Sequence, residues 1–447
     1  MKKFLCLLLS VLMVLGIAPA IAEEPAGLPP MTDEEITLTY ACWGQAEAGE
    51  PEVVQALIAQ FEEAYPNIHV EFVSIDQATW TEGLTNLAST GNLPDVFWVM
   101  SVSGAVANEW ALDVTDYLAQ DPDAQELFPA MVSSTKMGGR NYSYPAVLFP
   151  HAMFMNTTLF EKYNVELPDP ATWTWDDYFE LAVELSHPEE YYFGVSNPLY
   201  TDLFPAAMNG GQGKFGWDGE AYHFDDAWIE AVEMRAEVIN NKICEWMSEE
   251  EKEAVLGDPA AWPPGKGRTA MHIDWPWTIA MFNTTVAEET GCKFVYYPLP
   301  KGDSGDELGI VDNGVISAST EHPREAWELA KWMSWGPMAA LKRQETYRSL
   351  GYAVSRMPVV STPEVWQDLV DNADESLKPF YANIGNIVPS NWPICPGWSD
   401  IETYYNTNDI DGKILRGEIS AADVASELEE VANRARDVYL ESVGLGK

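Results

Sequence analysis

Two periodicities alternate along the chain. ITLTYACW (Ile36–Trp43) reads as a strand by its alternation, and a Gly-rich, acidic loop follows it. From Pro51, which suits a first helical turn, Val54, Leu57, Ile58, Phe61 and Tyr65 recur at three- and four-residue spacing and predict a helix. Residues Ile68–Phe72 read as the next strand, Trp80–Ser89 as a helix, and DVFWV (Asp95–Val99) as a short apolar run typical of a parallel strand covered on both faces. Strands alternating with helices predict an α/β fold with right-handed crossovers.

The same alternation resumes near Tyr144-Pro145. A strand is expected at Ala152–Met155, then a helix start at Thr174, with Asp177 three residues on as a capping-box partner. Further strands are expected at Thr269–Ile273, Cys292–Pro298 and Gly309–Ser319. Pro323 opens a helix on which Trp327, Trp332 and Trp335 read as structural. A final helix from Ser420 carries Val424, Leu428, Val431, Ala435 and Val438 on its apolar face. No internal repeat is visible.

The first residues are of another kind. Lys2 and Lys3, an apolar stretch from Phe4 to Ala18, and Ala20-Ile21-Ala22 before Glu23 have the layout of a secretory signal peptide over 1–22. Residues 23–35, rich in proline and acids, are expected to be a flexible leader. No later stretch has the apolar length of a transmembrane helix. No cysteine follows the apolar region, so lipid tethering is not expected and the protein is read as exported, periplasmic or extracellular. The formal charge is −45. Loss of 1–22 removes two lysines and no acid, leaving −47. Such a charge excludes nucleic acid and anionic lipid as ordinary partners. It also favours solubility. Cys42, Cys244, Cys292 and Cys395 would remain, with three possible disulfide pairings and no C-x-x-C. About 425 residues exceed what one core usually organises, so two domains are expected.

Ligands on α/β sheets bind beyond the carboxyl ends of the strands, where Trp43 and Trp98 fall. The chain has 18 tryptophans, and Trp275, Trp277, Trp392 and Trp398 also sit at strand ends or in loops. A core favours Leu, Ile, Val and Phe there, because a buried indole N–H needs a partner. Flat aromatic faces beside short polar side chains suit a sugar, with its apolar C–H faces and its rim of hydroxyls. Other chemistries find little support. The six histidines are scattered without H-E-x-x-H, so no metal site is expected. Thr407–Glu418 approaches a calcium loop but has Thr407 where an acid is required. The glycines at 210–219 and the pair Gly265-Lys266 lack nucleotide-binding spacing, and no cofactor is expected.

Several segments in order resemble the extracellular sugar-binding proteins that serve ABC importers, the maltose-binding type. They are residues 36–73; GNLPDVFW at 91–98; YSYPAVLFPHAMFMNTTLF at 142–160, where Met155 replaces the usual Tyr; 172–178; GRTAMHIDWPW at 267–277; and 298–317. The resemblance implies a type II periplasmic-binding fold: two lobes, each a mixed sheet flanked by helices, joined by a multi-strand hinge. Lobe one would comprise 36–149 and 313–353, and lobe two 150–312 and 354–447. The partners implied are a small carbohydrate and the transmembrane subunits of an ABC permease, with the protein monomeric. The resemblance carries aromatic stacking roles to Trp98, Tyr200, Trp277 and Trp398, and polar contacts to the Trp43–Glu47 loop, including Gln45 and Glu47. Phe149 stands where the maltose-binding type has an acid. His151, Asp274, Asp312 and Asn313 are further polar candidates.

Two rival classes share these residues. A secreted glycoside hydrolase would need two carboxylates about 5–10 Å apart across the cleft. A carbohydrate-binding protein without a transport role would present a rigid, exposed aromatic strip.

Overall fold

The computed structural model describes residues 27–446 apart from 48, 135, 197–202, 204–206, 209–213, 245–246 and 390–394. The signal-peptide segment, Tyr200 and Trp392 lie outside the described residues. The chain is a mixed α/β protein built on two principal sheets.

In the first sheet β1 (Ile36–Ala41) lies between β2 (Ile68–Phe72) and β3 (Val96–Val99), parallel to both. A small hairpin, β4 (Lys136–Met137) with β5 (Arg140–Asn141), precedes β6 (Tyr144–Pro150). The second sheet has the order β10-β7-β9-β8, from β7 (Ala152–Asn156), β8 (Phe193–Val195), β9 (Thr269–Asp274) and β10 (Phe294–Tyr297). The long strand β11 (Asp306–Ile316) then returns to the first sheet. It pairs antiparallel with β3 and β6, and parallel with β12 (Asn386–Pro389). The helix Glu50–Ala64 carries Pro51 in its first turn and buries Val53, Val54, Leu57, Ile58 and Phe61 against this sheet. Thr174 and Asp177 form the expected capping box.

The chain passes between the sheets where strand alternation serves both cores. Only His151 separates β6 from β7. On β12, Ile387 packs into the core of the first sheet and its neighbour Val388 into that of the second, because successive side chains point to opposite faces. Glu307, in the β11 segment paired with β12, is buried and accepts the Gly385 N–H at 3.0 Å. Burial pushes its carboxyl up to about 8, although the Gly385 and Leu299 backbone groups oppose the shift. The folded chain therefore holds this proton more tightly than the unfolded chain does. The associated stability is present below the ordinary value of 4.5 and is lost as pH rises through about 8. Glu307→Gln, which keeps an acceptor and cannot titrate, is expected to flatten that decline by an amount on the order of a few kcal/mol. Urea unfolding of both proteins across the window checks this. Parallel pH profiles would remove Glu307 as the cause.

Two expectations need correction. Residues 27–35 are tied down rather than loose: Thr32 N–H donates to Glu325 at 2.8 Å, Arg324 Nε to the Pro29 carbonyl at 2.8 Å, and Leu28 and Met31 pack on the first core. On the last helix, Ala421–Ser442, Leu428 is buried and Val424 and Ala435 pack on the first core as expected, but Ala421, Ala425 and Ala432 complete the buried face and Val438 is exposed. Close approach to this helix explains the glycine at 397. A Cβ on Gly397, whose φ is +76°, would stand 2.6 Å from the Ala435 backbone. Of the three disulfide pairings open to Cys42, Cys244, Cys292 and Cys395 none occurs, and each is a buried thiol.

Candidate functional site

The loop after β1 is bound to the first sheet by one buried arginine. Arg356 Nη2 donates to Glu47 at 2.8 Å, its Nε lies 3.4 Å from Glu50, and its Nη1 lies 3.9 Å from Asp312. The guanidinium passes so close beneath Gly44 (φ +90°) that a Cβ there would collide with it. Gly44 N–H donates to Gln77 at 3.0 Å, fixing the turn. Burial would discourage the charge on Arg356, but Glu50, Glu47 and Asp312 outweigh it and hold the guanidinium protonated. Glu50 is itself fully buried. It accepts two contacts from Arg343 Nη1 at 2.7 and 2.8 Å, and the Tyr347 hydroxyl at 2.7 Å.

A register shift in β11 between Asp312 and Asn313 redirects the two side chains. Asp312 accepts the Trp43 indole N–H at 3.0 Å. Burial pushes its carboxyl up to about 6, with Arg356 and the Trp43 N–H opposing the shift. Asn313 turns inward, donating to the Val311 carbonyl at 3.0 Å. Trp43 meets Trp80 and Trp98 edge-on at 5.5 and 5.1 Å.

From here a row of rings leads to the end of β9. Arg356 lies over both Trp98 and Phe149, 5.5 and 5.7 Å from the ring centres. Phe149 meets Trp277 edge-on at 5.1 Å, Trp277 stacks on Trp275 at 5.2 Å and 19°, and Trp275 covers His151 at 3.7 Å. The row thus runs from the first sheet to the second. Burial lowers His151 to about 4, so the ring is neutral at pH 7 and its Nδ1 is positioned to donate to the Leu308 carbonyl at 3.1 Å. Trp277 is the open end, 46% exposed. On β9, Asp274 accepts the Trp275 N–H at 2.8 Å and pairs with His272 Nε2 at 3.0 Å. His272 Nδ1 in turn meets the Ser196 hydroxyl. These are the residue types of a hydrolytic triad. However, Ser196 has no exposed surface, so the row braces Asp274 and offers no nucleophile.

A separate cavity of about 350 Å³ opens between the segment after β3 and the C-terminal helices. Its walls include Ser101, Ser103, Trp398, Asp400, Glu402 and Tyr439. Trp398 opens the helix Trp398–Thr407 behind Gly397 and packs on Phe215 at 4.6 Å. The Tyr439 hydroxyl donates to the Ser103 carbonyl, joining the last helix to the first-sheet side. The volume falls in the range of small-ligand sites, roughly 300–1,000 Å³.

The sequence candidates therefore divide. Trp43, Glu47, Phe149, His151, Trp275, Trp277 and Asp312 belong to one connected array, and Gln45 borders it with its amide turned to Cys42 Sγ at 3.6 Å. Asp274 supports the array through the Trp275 backbone. Trp398 lines the cavity. Trp98 was expected to show a ligand its face but has no exposed surface, because Trp43 and Arg356 cover it. Arg356, Ser101, Ser103 and Tyr439 were not singled out in the sequence. The only sequence signal for Arg356 is the scarcity of basic residues, which does not locate a partner.

The family model described as bacterial extracellular solute-binding protein matches residues 47–334. A binding protein of Brucella abortus (strain 2308) is 21% identical over 358 residues, covering 76% of this chain and 80% of that protein. Two solved structures share the fold. The sugar-binding protein MalE from Xanthomonas citri superposes with TM-score 0.66 at 18% identity, covering 90% of this chain and 97% of that one. An ABC substrate-binding protein of Listeria monocytogenes in complex with cycloalternan gives 0.61 at 20% identity, covering 93% and 100%.

Proposed function

The chain belongs to the bacterial extracellular solute-binding proteins, and on that premise we propose that it is the exported receptor of an ABC importer and captures a mono- or oligosaccharide between two lobes. The signal-peptide layout of 1–22 supports export, and no helix among the described residues is long and apolar enough to cross a membrane. The lobes of this reading are 36–149 with 313–353, and 150–312 with 354–447. They turn about the strands around His151, Glu307 and Ile387.

The observation that carries the reading is the parallel pair Trp275 and Trp277, open at one end and joined through Phe149 and Arg356 to the first-sheet loop. A pyranose can lay its C–H face on the Trp277 ring while its hydroxyls meet acceptors such as Asp312 and Glu47. Trp398, across the cavity from Ser101 and Ser103, supplies a second aromatic wall. Contact from both lobes is what makes ligand favour the closed state. Closed receptor then docks on the permease and releases its cargo unaltered. Micromolar capture needs about 8 kcal/mol in total, within reach of a few stacked rings and satisfied hydrogen bonds.

A thermal-shift panel of neutral mono- and oligosaccharides tests the reading. A ligand at a hundred times its Kd adds about 2.7 kcal/mol and raises Tm measurably. No shift with any sugar, alongside turnover of a reporter glycoside, would replace the receptor reading with the hydrolase one.

A further inference from the structure

We propose that Glu307 is an acid clasp on the hinge: uncharged, it holds the two sheets together as they stand, and its ionisation drives them apart and weakens ligand capture. This inference rests on reading the two sheets as lobes that close over a ligand.

The strands that cross between the sheets are pinned at one place. The Leu308 carbonyl meets the His151 backbone N–H at 3.2 Å and the His151 ring nitrogen Nδ1 at 3.1 Å. One residue earlier, Glu307 Oε1 accepts the Gly385 N–H at 3.0 Å, just before β12. The fit leaves no slack. A Cβ on Gly385 would stand 3.0 Å from the Gly305 carbonyl, and one on Gly309 would stand 2.9 Å from Leu148 and 3.0 Å from Ile387. Glu307 itself is 3% exposed, and its Oε2 is interior with no hydrogen-bond partner in the protein. A neutral carboxyl is tolerated in such a place, whereas a carboxylate with one bare oxygen needs water. Domain closure bends the chain at a few such crossing residues, so parting the sheets here is the direct way to bring water to Oε2.

The neighbours do little to hold the charged form. Lys301, before β11, supplies a positive charge, and the Gly385 and Leu299 backbone groups act in the same sense. Burial outweighs all three and lifts the carboxyl to about 8. Asp306, beside it on the strand, turns its carboxyl to Asn386 and Ser304. His151 faces the charge of Asp274, but burial keeps its ring neutral. The helix Pro129–Ser134, packed on β12, brings no titratable residue, and β6 brings only Tyr144, at its far end opposite Gly314. A hydrated carboxyl in the parted arrangement has the lower value, so a bound proton favours the present one. That preference is complete below the ordinary 4.5, fades as pH rises, and is gone above about 8.

Small-angle scattering of the full exported chain without ligand, between roughly pH 5 and 9 at about 0.15 M salt, tests the clasp, with circular dichroism verifying that the protein stays folded. Wild type should expand as pH rises to about 8 and change no further. Glu307→Gln should keep its low-pH dimensions throughout, and Glu307→Met, also unable to titrate, gives the same readout should the glutamine variant fail to fold. With the sugar that gives the largest thermal shift, wild-type affinity relative to the variant should fall roughly threefold or more over the same range. Taking the ratio removes the titration of Asp312, which both proteins share. Constant wild-type dimensions, an expansion that the variants repeat, or an unchanged affinity ratio overturns the clasp and leaves the receptor reading standing. Expansion confined to wild type, with no sugar bound by either protein, keeps the clasp and overturns the receptor reading.

Discussion

Replacing Glu50 by alanine should destabilise the fold by about 3–5 kcal/mol, the usual result of removing one member of a buried ion pair. Glu50 has no exposed surface, and its two oxygens hold Arg343, Tyr347 and the Nε side of Arg356 together. Without it, two guanidinium groups stay buried beside only Glu47 and Asp312. Burial by itself would raise the Glu50 carboxyl, but the charges of Arg343 and Arg356, with hydrogen bonds from Arg343 and Tyr347, pull it below its ordinary 4.5. Its contribution is thus present above pH 4.5 and lost as pH falls below that value. Urea unfolding at neutral pH reads the loss directly, and Glu50→Gln should lie between wild type and Glu50→Ala. A loss below about 1 kcal/mol would mean that the arginines find other partners or water, and that the Cys42–Gly49 loop does not depend on the network.

Trp277→Ala should weaken sugar binding at least tenfold, about 1.4 kcal/mol, with much less effect on stability. The two effects separate because the ring is nearly half exposed, 46%, and makes its ring contacts with Phe149 and Trp275. Its removal strips the open face of the aromatic row and leaves both cores filled. The change in Tm should be small, as for other surface substitutions within about 0.5 kcal/mol, and Trp277→Phe should recover part of the affinity. Titration with whichever sugar gives the largest thermal shift is the measurement. Unchanged affinity with intact folding would move the ligand away from this ring.

Most elements could be read from the residues, since hydrophobic spacing marks a strand or helix wherever one face is buried. Ile68–Phe72 and Trp80–Ser89 occur as expected, as does the helix opened by Pro323. On the last helix the expected Val424, Leu428 and Ala435 lie on the packed face, whereas the buried Ala421, Ala425 and Ala432 were missed because spacing rules weigh alanine lightly. The abundance of tryptophan was a weaker guide than its placement. Trp80, Trp173, Trp217, Trp228, Trp327 and Trp335 are wholly interior, while Trp277, within the proline-led turn after a strand end, is open.

The residues alone determined the alternation of strand and helix, the acidic surface, the export signal layout and the concentration of aromatic side chains after the strands. These are local properties, written in spacing and composition. Only the tertiary structure decided that Arg356 lies between Trp98 and Phe149, that Trp98 is covered, and that Asp400 and Glu402 share a cavity with Ser101. The contacts of Arg356 and of Asp400 join segments some two hundred to three hundred residues apart. Such distances close only when β11 returns to the first sheet and the C-terminal helices fold back, and no local pattern encodes which partners then meet.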